Sequence, residues 1–198
     1  MNKKVLSLVL ALAIVLGSFG TVALASNDDV AYNSQAQKIQ WLIDNNHVEG
    51  RKVNADGSAD LALEDNVTRA EITKLLVHLL GKADLADVLK GVMRPFPDVT
   101  IEHWANGYVS VATTTRANAA NDNRIAIGYP DGNFYPENNV TYAELATMLV
   151  RIVKDDLTTK MEADSIWATS YMRWAEEEGI LEGLTIANSD KATTRADA

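Results

Sequence analysis

The segment IAIGYPDGNFYPENNVTYAELATMLVR, residues 125–151, combines a tight turn, a short loop and the start of a helix. In its Gly-Tyr-Pro-Asp-Gly turn, Pro130 fixes φ near the value that a β-turn needs, and Gly132 tolerates positive φ. Thr141 is followed at the third position after it by Glu144. This spacing predicts a capping box, in which each side chain bonds a backbone N–H that the helix start leaves unpaired. The segment therefore predicts one supersecondary unit of turn, loop and capped helix.

The helix after this cap has one apolar face. Apolar residues recur along it at the i, i+3, i+4 spacing of a buried helix face: Leu145, Met148, Leu149, Ile152 and Val153. The same stripe follows an earlier Thr-x-x-Glu pattern in the chain, at the same distances from its threonine: Ile72, Leu75, Leu76, Leu79 and Leu80. The unit is therefore predicted to recur.

Three copies of the cap motif are present in the sequence. Residues 67–71, VTRAE, match residues 140–144, VTYAE, and residues 193–197, TTRAD, form a third copy. Asp197 takes the acidic position of the third copy. Self-similarity of this kind is the signature of a repeat protein, in which one unit cannot bury its apolar face alone.

Each copy also has a predicted helix upstream of its cap. The pattern Trp-Ala-x-x-Tyr at Trp104 recurs at Trp167, and the segment from Trp41 to Gly50 aligns with the segment that ends at Gly183. These matches give repeats at 34–81, 95–154 and 162–198. The third repeat ends directly after its cap, so we expect the sequence to be the N-terminal portion of a longer protein.

The segments between these helices are polar. Residues 113–123, TTTRANAANDN, are rich in turn formers and predict a surface loop in the second repeat. Residues 82–94 and 155–161 are predicted linkers, the first with a short helix near residues 85–89.

The N-terminus predicts export. Lys3 and Lys4 precede an apolar run, and Ala23-Leu24-Ala25 supplies a small-x-small cleavage signal, so residues 1–25 are typical of a secretory signal peptide. An uncleaved membrane anchor is the alternative, which the interruption of the apolar run by glycine and serine after residue 16 disfavours.

Charge and cysteine usage narrow the class of partner. The formal net charge is −9, and removal of the two signal-peptide lysines leaves 16 basic and 27 acidic residues, or −11. An acidic exported chain is a poor ligand for nucleic acid or an anionic membrane. Because the chain contains no cysteine, its fold is stabilised by its core and not by disulfides.

Several motifs of the second repeat together resemble one known family. Residues 96–99, FPDV, residues 103–105, HWA, the turn at 128–132 and the cap at 140–144 occur in the order found in the S-layer homology domain. The resemblance implies an all-α fold in which three helix-loop-helix repeats form a pseudo-threefold, three-pronged bundle. It also implies non-covalent anchoring of an exported protein at the bacterial cell wall or S-layer, through grooves that bind secondary cell-wall polysaccharide, often at a pyruvylated amino sugar.

The resemblance and the repeat pattern together give a set of candidate ligand-binding residues: Arg69, Glu71, Asp98, Trp104, Gly128, Tyr142, Glu144, Asp164, Trp167, Gly183 and Arg195. In the family, the arginine of the cap motif is associated with the anion. In this sequence the cap-motif arginine is Arg69 in the first repeat and Arg195 in the third. Tyr142 occupies the equivalent position in the second repeat.

The residues themselves leave alternatives open. Arg69 and Arg195 are predicted at the positive end of a helix dipole, so either an internal carboxylate or a bound anion must compensate their charge. The two tryptophans are core anchors, sugar-stacking platforms or both, and Asp98 and Asp164 are helix caps, groove walls or both. For the two glutamates, the threonine at the third position before each favours capping over catalysis.

The sequence predicts a binding module that is not an enzyme and needs no cofactor or metal. No nucleophile-elbow, Walker or dinucleotide motif occurs, and the acidic segment at residues 54–60 lacks the glycine position of an EF-hand. Two alternatives remain at the level of the whole protein. One is an exported hydrolase that this part tethers, and the other is a structural protein that self-assembles into a lattice through a region beyond residue 198.

Overall fold

The computed structural model describes residues 35–198 except Asn46 and Gly183, so the predicted signal peptide lies outside the described residues. This part of the chain is mainly helical, as predicted. Its helices are α1 Gln35–Asp44, α2 Arg69–Leu79, α3 Ala83–Leu89, α4 Asn106–Thr114, α5 Tyr142–Val153, α6 Thr159–Ala163 and α7 Trp167–Glu177. A small antiparallel hairpin joins β1 Lys52–Val53 to β2 Ala59–Asp60, with Lys52 opposite Asp60.

The two complete caps have the predicted geometry. Thr68 accepts from the backbone N–H of Glu71 at 3.2 Å, and the Glu71 carboxylate accepts from the backbone N–H of Thr68 at 2.8 Å. Thr141 and Glu144 repeat this box with distances of 3.2 and 3.0 Å. Each box satisfies two donors that a helix start would otherwise leave unpaired. The prediction that both glutamates cap helices is confirmed.

The apolar stripes of α2 and α5 are buried against the helices that the sequence predicts upstream of a cap, α4 and α7. Helix α2 packs on α4, and α5 packs on α7. Ile72, Leu76, Leu149 and Ile152 are at most 1% exposed, which places both stripes in one continuous core. Burial of such side chains contributes about 1.5–3 kcal/mol each, so the stripes are a main source of stability.

The repeats meet in a cyclic backbone arrangement. Val67 N–H donates to the carbonyl of Thr193 at 3.0 Å, Thr193 N–H to Val140 at 2.8 Å, and Val140 N–H to Val67 at 3.0 Å. These residues hold the same position in the three copies of the cap motif. Each therefore donates to one neighbour and accepts from the other, which is the pattern of a pseudo-threefold axis. We call this set of bonds the ring.

A second tier of bonds lies outside the ring and runs from copy to copy in the opposite sense. The residue after each cap threonine donates its backbone N–H to the loop of another copy. The pairs are Arg69 to Asn138 at 2.9 Å, Tyr142 to Lys191 at 3.1 Å and Arg195 to Asp65 at 2.8 Å. The three copies are therefore joined by equivalent main-chain contacts even though their side chains differ.

The loop predicted at residues 113–123 is present from Thr115 onward, but part of it is buried. Thr113 and Thr114 belong to α4, and Asn118 and Asn123 are 2% and 7% exposed. The Asn118 amide donates to the carbonyl of Ile152 at 2.9 Å, in the last turn of α5. A polar segment is buried here because its asparagine amides satisfy carbonyls that the end of α5 leaves without helical partners.

The predicted short helix in the first linker is confirmed as α3. The second linker, predicted at residues 155–161, overlaps α6, which Thr158 caps by accepting from the N–H of Met161 at 3.2 Å. Among the helices of the described part, none is long and apolar enough to span a membrane.

Candidate ligand-binding grooves

The position after each cap threonine brings two copies of the repeat into contact. Its side chain faces the acidic cap residue of another copy, and the three contacts run in the same sense as the second tier of main-chain bonds. They are Arg69 Nη1 to Glu144 Oε1 at 3.9 Å, Arg195 Nη1 to Glu71 Oε1 at 3.0 Å, and a hydrogen bond from the Tyr142 hydroxyl to Asp197. An internal carboxylate therefore faces both arginines, which was one of the two alternatives.

The Arg195 groove is a cavity of about 270 Å³ lined by residues of the first and third repeats and by Trp104 of the second. Its lining combines polar and charged side chains with apolar ones. The lining includes Glu49, Arg51, Glu71, Lys74, Trp104 and Arg195. The indole of Trp104 is 44% exposed and stacks on His103 with 5.9 Å between the ring centroids. The groove thus presents an accessible aromatic face beside basic groups.

Glu71 is the electrostatic centre of the Arg195 groove. Arg51 Nε and Nη2 hold its two carboxylate oxygens at 3.0 and 2.7 Å, and Arg195 Nη1 lies 3.0 Å from the first of them. Burial alone would raise the pKa of Glu71, but the hydrogen bonds from Arg51 and from Thr68 outweigh it and hold the pKa below its usual value. The carboxylate is therefore ionised and shared between two guanidinium groups.

The Arg69 groove is a cavity of about 310 Å³ between the first, second and third repeats. Its walls are mostly apolar and aromatic, with two arginines among them. The lining includes Arg69, Ile127, Gly128, Tyr129, Glu144, Thr147, Met148, Arg151 and Trp167.

Arg69 lies deep in this groove and is 6% exposed. Its guanidinium carbon lies over the rings of Tyr129 and Phe134, at 4.9 and 4.7 Å from their centroids. Nη2 donates to the carbonyl of Ile127 at 2.7 Å, whereas the buried Nε has no hydrogen-bond partner among the described residues. Burial lowers the pKa of Arg69, but the side chain stays charged at neutral pH because an arginine pKa begins above 12.

Tyr129 and Trp167 are fixed by hydrogen bonds to α5. The Tyr129 hydroxyl donates to Glu144, and burial together with this bond raises the pKa of Tyr129 to about 12. Trp167 Nε1 donates to the Thr147 hydroxyl at 3.1 Å. The aromatic walls of the Arg69 groove are therefore preorganised.

The two grooves are built alike. Arg195 Nη2 donates to the carbonyl of Glu49 at 3.2 Å, just as Arg69 Nη2 donates to Ile127, and in each case the acceptor precedes a glycine. A Cβ on Gly128 would lie 2.3 Å from the Phe96 ring, so this glycine permits close packing of the groove wall. The same local backbone thus positions an arginine in each groove.

The structure brings most of the candidate residues into these grooves. Glu71, Trp104 and Arg195 line the first groove, while Arg69, Gly128, Glu144 and Trp167 line the second. Tyr142 occupies the third equivalent position, against Asp197. Gly183 lies outside the described residues.

Asp98 and Asp164 do not cap the helices that follow them, which removes one of the two alternatives for these residues. Asp98 instead accepts from the backbone N–H groups of Phe134 and Tyr135, at 2.9 and 2.6 Å. Tyr135 has a positive φ of 56°, and the carboxylate stabilises the loop in that conformation. Asp164 is exposed at the C-terminal end of α6. The N-cap positions of α4 and α7 are Ala105 and Ile166, which make no side-chain cap bond.

Sequence reasoning missed several groove residues: Arg51, Lys74, Tyr129, Thr147 and Arg151. A signal for some of them was present in the repeat alignment. Arg51 follows Gly50 as Tyr129 follows Gly128, and Lys74 and Thr147 hold the same position relative to the cap threonines of the first two repeats. Within the described residues, no group of three or more histidine, aspartate or glutamate side chains is placed to hold a metal ion.

Residues 115–146 match the S-layer homology domain model. The chain is 31% identical over 141 residues to the "Middle cell wall protein" of Brevibacillus brevis, which covers 71% of this chain and 12% of that protein. It is 27% identical over 186 residues to the "Surface layer protein" of Brevibacillus choshinensis, and this alignment covers 94% of this chain and 15% of that protein. It is 29% identical over 129 residues to the "Cellulosome-anchoring protein" of Acetivibrio thermocellus, and this alignment covers 61% of this chain and 27% of that protein.

The chain spans between 12% and 27% of the lengths of these relatives, so the similarity concerns one part of each. The family match lies in the second repeat and includes the turn and cap that organise the fold. The cyclic main-chain contacts extend the same unit to the other two copies. The chain therefore belongs to the S-layer homology domain family.

Proposed function

We propose that this chain anchors an exported protein non-covalently at the bacterial cell surface by binding an anionic cell-wall polysaccharide in the Arg195 and Arg69 grooves. The observation that carries the proposal is the pairing, in both grooves, of a guanidinium group with a partly exposed indole, Trp104 at 44% and Trp167 at 48%. A flat aromatic face offers a large apolar contact area to a sugar ring. A guanidinium group recognises a carboxylate with paired hydrogen bonds.

The charge balance of the Arg195 groove supports an anionic ligand. Three basic side chains, Arg51, Lys74 and Arg195, line it together with two carboxylates, Glu49 and Glu71. This local excess of positive charge contrasts with the net charge of −9 for the chain. An anion therefore binds here through local donors and not through the overall field. We infer that a carboxylated sugar such as a pyruvylated amino sugar supplies this anion.

The relatives support the anchoring role and the location. Their printed names refer to the cell wall, the surface layer and the anchoring of a cellulosome, and the predicted export of this chain to the cell wall or S-layer agrees with them. The anchoring role fits both an S-layer protein and a tethered hydrolase as the whole protein, because the chain covers only 15% of the length of the surface layer relative. In an S-layer protein, lattice self-assembly would reside outside this part.

Sedimentation with purified cell-wall sacculi tests the proposal. The full chain is expected to sediment with intact sacculi and to remain in solution once the secondary polysaccharide has been chemically removed. Trp104→Ala is expected to weaken the sedimentation, and Trp41→Ala, a tryptophan outside both groove linings, controls for the loss of an indole. Equal binding to intact and stripped sacculi would refute the polysaccharide as the ligand.

A further inference from the structure

Arg151 is a second buried cation of the Arg69 groove. It lies in the last turn of α5, is 7% exposed and lines the cavity. Its Nε is 2.8 Å from Glu162 Oε1 and 3.3 Å from the Tyr171 hydroxyl. Neither terminal nitrogen of Arg151 donates a hydrogen bond to the described part of the chain. Glu162 therefore fixes one edge of the guanidinium and leaves the other edge unused.

Arg69 has unused donors in the same cavity. Its Nε is buried without a partner among the described residues, and its Nη1 reaches Glu144 only at 3.9 Å. Glu144 already accepts from the Tyr129 hydroxyl and from the backbone N–H of Thr141. After burial, which acts most strongly, repulsion by Arg151 also lowers the pKa of Arg69. Two nearly buried guanidinium groups thus face one cavity with donors that the described residues do not satisfy.

Like charges in a weakly solvated cavity repel each other, and an unpaired buried donor costs about 1–3 kcal/mol. An anion placed between the two groups would relieve both costs through charge-assisted hydrogen bonds. Apart from Glu144 and Thr147, the remaining walls are apolar or aromatic, and they include Ile127, Met148 and Trp167. They suit the carbon skeleton of a sugar substituent better than they suit a free, fully hydrated inorganic ion.

The arrangement is specific to this groove. In the first repeat the position equivalent to Arg151, counted from the cap threonine, is His78. His78 contacts the Tyr108 hydroxyl at 3.3 Å, as Arg151 contacts Tyr171. Burial lowers the pKa of His78 below its ordinary value, so its ring is neutral at pH 7. The same place in the repeat therefore carries a charge in only one of these two copies.

We propose that Arg151 is a specificity-determining residue of the Arg69 groove, where it and Arg69 together bind the carboxylate of a sugar substituent. The proposal rests on the proposed function and adds to it a second anion-binding residue outside the cap motif. The ligand class is a saccharide whose carboxylate is carried on a short apolar substituent, such as a pyruvate ketal.

Paired variants separate ligand binding from a purely structural role. Arg151→Gln alone would leave Glu162 without its cation and is expected to lower the melting temperature. The double variant Arg151→Gln with Glu162→Gln removes both charges of the pair and is expected to recover most of that loss. Arg173→Gln is the matched control, because Arg173 is exposed, pairs with Glu177 in the same helix and lies outside the groove. Arg69→Gln is included to measure how much affinity is lost when the cap-motif arginine is removed.

The measurement is calorimetric titration of the full chain with a methyl glycoside that carries a pyruvate ketal, and with the methyl ester of the same compound. We expect the folded double variant to bind the acid about tenfold more weakly or worse than the wild type. We also expect it to bind the uncharged ester as the wild type does. Inorganic phosphate, titrated in parallel, reports whether any tetrahedral anion suffices, and binding of phosphate as tight as that of the acid would overturn the carboxylate assignment.

Two failures are distinguishable. If the wild type binds the acid, Arg69→Gln loses binding and the double variant retains it within about twofold, the polysaccharide function stands and Arg151 is only a structural partner of Glu162. If the wild type binds neither the acid nor intact sacculi, the proposed function itself is wrong and this inference falls with it.

Discussion

Thr193 is fully buried in the ring, yet its hydroxyl has no hydrogen-bond partner among the described residues. The equivalent residues are Val67 and Val140, which are 5% and 0% exposed. Valine has nearly the same shape as threonine without the polar group, and a buried hydroxyl that lacks a partner is destabilising. At this position the third repeat is therefore less well adapted to the ring than the other two.

We expect Thr193→Val to raise the free energy of unfolding by about 1 kcal/mol, because it removes an unsatisfied polar atom and retains the packing. Urea denaturation followed by circular dichroism measures the change. Val140→Thr is the reverse substitution at the equivalent place and should lower the stability by a similar amount. A Thr193→Val protein that is less stable than the wild type would show that the hydroxyl has a partner.

Two tyrosine hydroxyls that donate to carboxylates predict a loss of stability at alkaline pH. Burial and the bond to Asp197 raise the pKa of Tyr142 to about 12, and Tyr129 is raised to about 12 by burial and Glu144. The unfolded chain loses these protons near pH 10, whereas the folded chain retains them up to about pH 12. The stabilisation is therefore complete below pH 10 and is lost as the pH rises toward 12, with each proton worth up to about 1.4 kcal/mol per pH unit.

Tyr142→Phe should make the free energy of unfolding fall less steeply between pH 10 and 12 than it does in the wild type, because one of the linked protons is gone. Chemical denaturation at several pH values in this range gives both slopes. Parallel slopes would mean that Tyr142 titrates normally in the folded protein and does not donate to Asp197.

The predictable and the unpredictable parts of the site differ in the range of their interactions. Thr68 and Glu71 form the predicted box because a capping box depends only on local spacing. Arg51 contacts the same Glu71 across 20 residues, and Arg195 does so across 124. The Arg195 contact arises only when the repeats close on each other, and the Arg51 contact only when the first repeat folds. The sequence therefore indicated the arginines of the cap motif but not their partners.

At the scale of elements, the polar segment at residues 113–123, which we call the insert, functions as a cap for the C-terminal end of α5. Three asparagine amides donate to main-chain carbonyls there: Asn118 to Ile152 at 2.9 Å, Asn121 to Lys154 at 3.0 Å and Asn123 to Leu157 at 3.2 Å. Asparagine-rich composition predicts a loop correctly but does not reveal the acceptors, which are distant in the sequence. The error in the sequence prediction therefore lay in the burial of this segment.

We expect Asn118→Ala to destabilise the protein by about 1–3 kcal/mol, because it leaves the Ile152 carbonyl buried without this donor. Thermal and urea unfolding measure the loss. Asn138→Ala is the matched control, since Asn138 is exposed and takes part in the fold through its backbone carbonyl. An equal effect of both substitutions would argue against a capping role for the insert.

At the scale of the whole molecule, the ring makes the three repeats interdependent. The third repeat contributes no long helix after its cap to the described structure, but its extended segment supplies both a donor and an acceptor at Thr193. The grooves depend on the same closure, since Arg69 and Arg195 each face the cap of another copy. Repeat architecture was readable from the spacing of the motifs, whereas the cyclic order of the bonds required the assembled fold.

Removal of residues 188–198 should therefore weaken specific amides in the first and second repeats. Val67, Tyr142 and Ala143 donate to carbonyls within the deleted segment, whereas Arg69 and Ala70 donate to Asn138 and Pro136, which remain. Hydrogen exchange followed by NMR should show loss of protection at the first three amides in the shortened chain. If the Arg69 and Ala70 amides stay protected, the first two repeats fold without the third. If these two amides also lose protection, all three repeats of the ring unfold cooperatively. Protection of all five amides as in the full chain would contradict the role of the ring, because the acceptors of three of them would be absent.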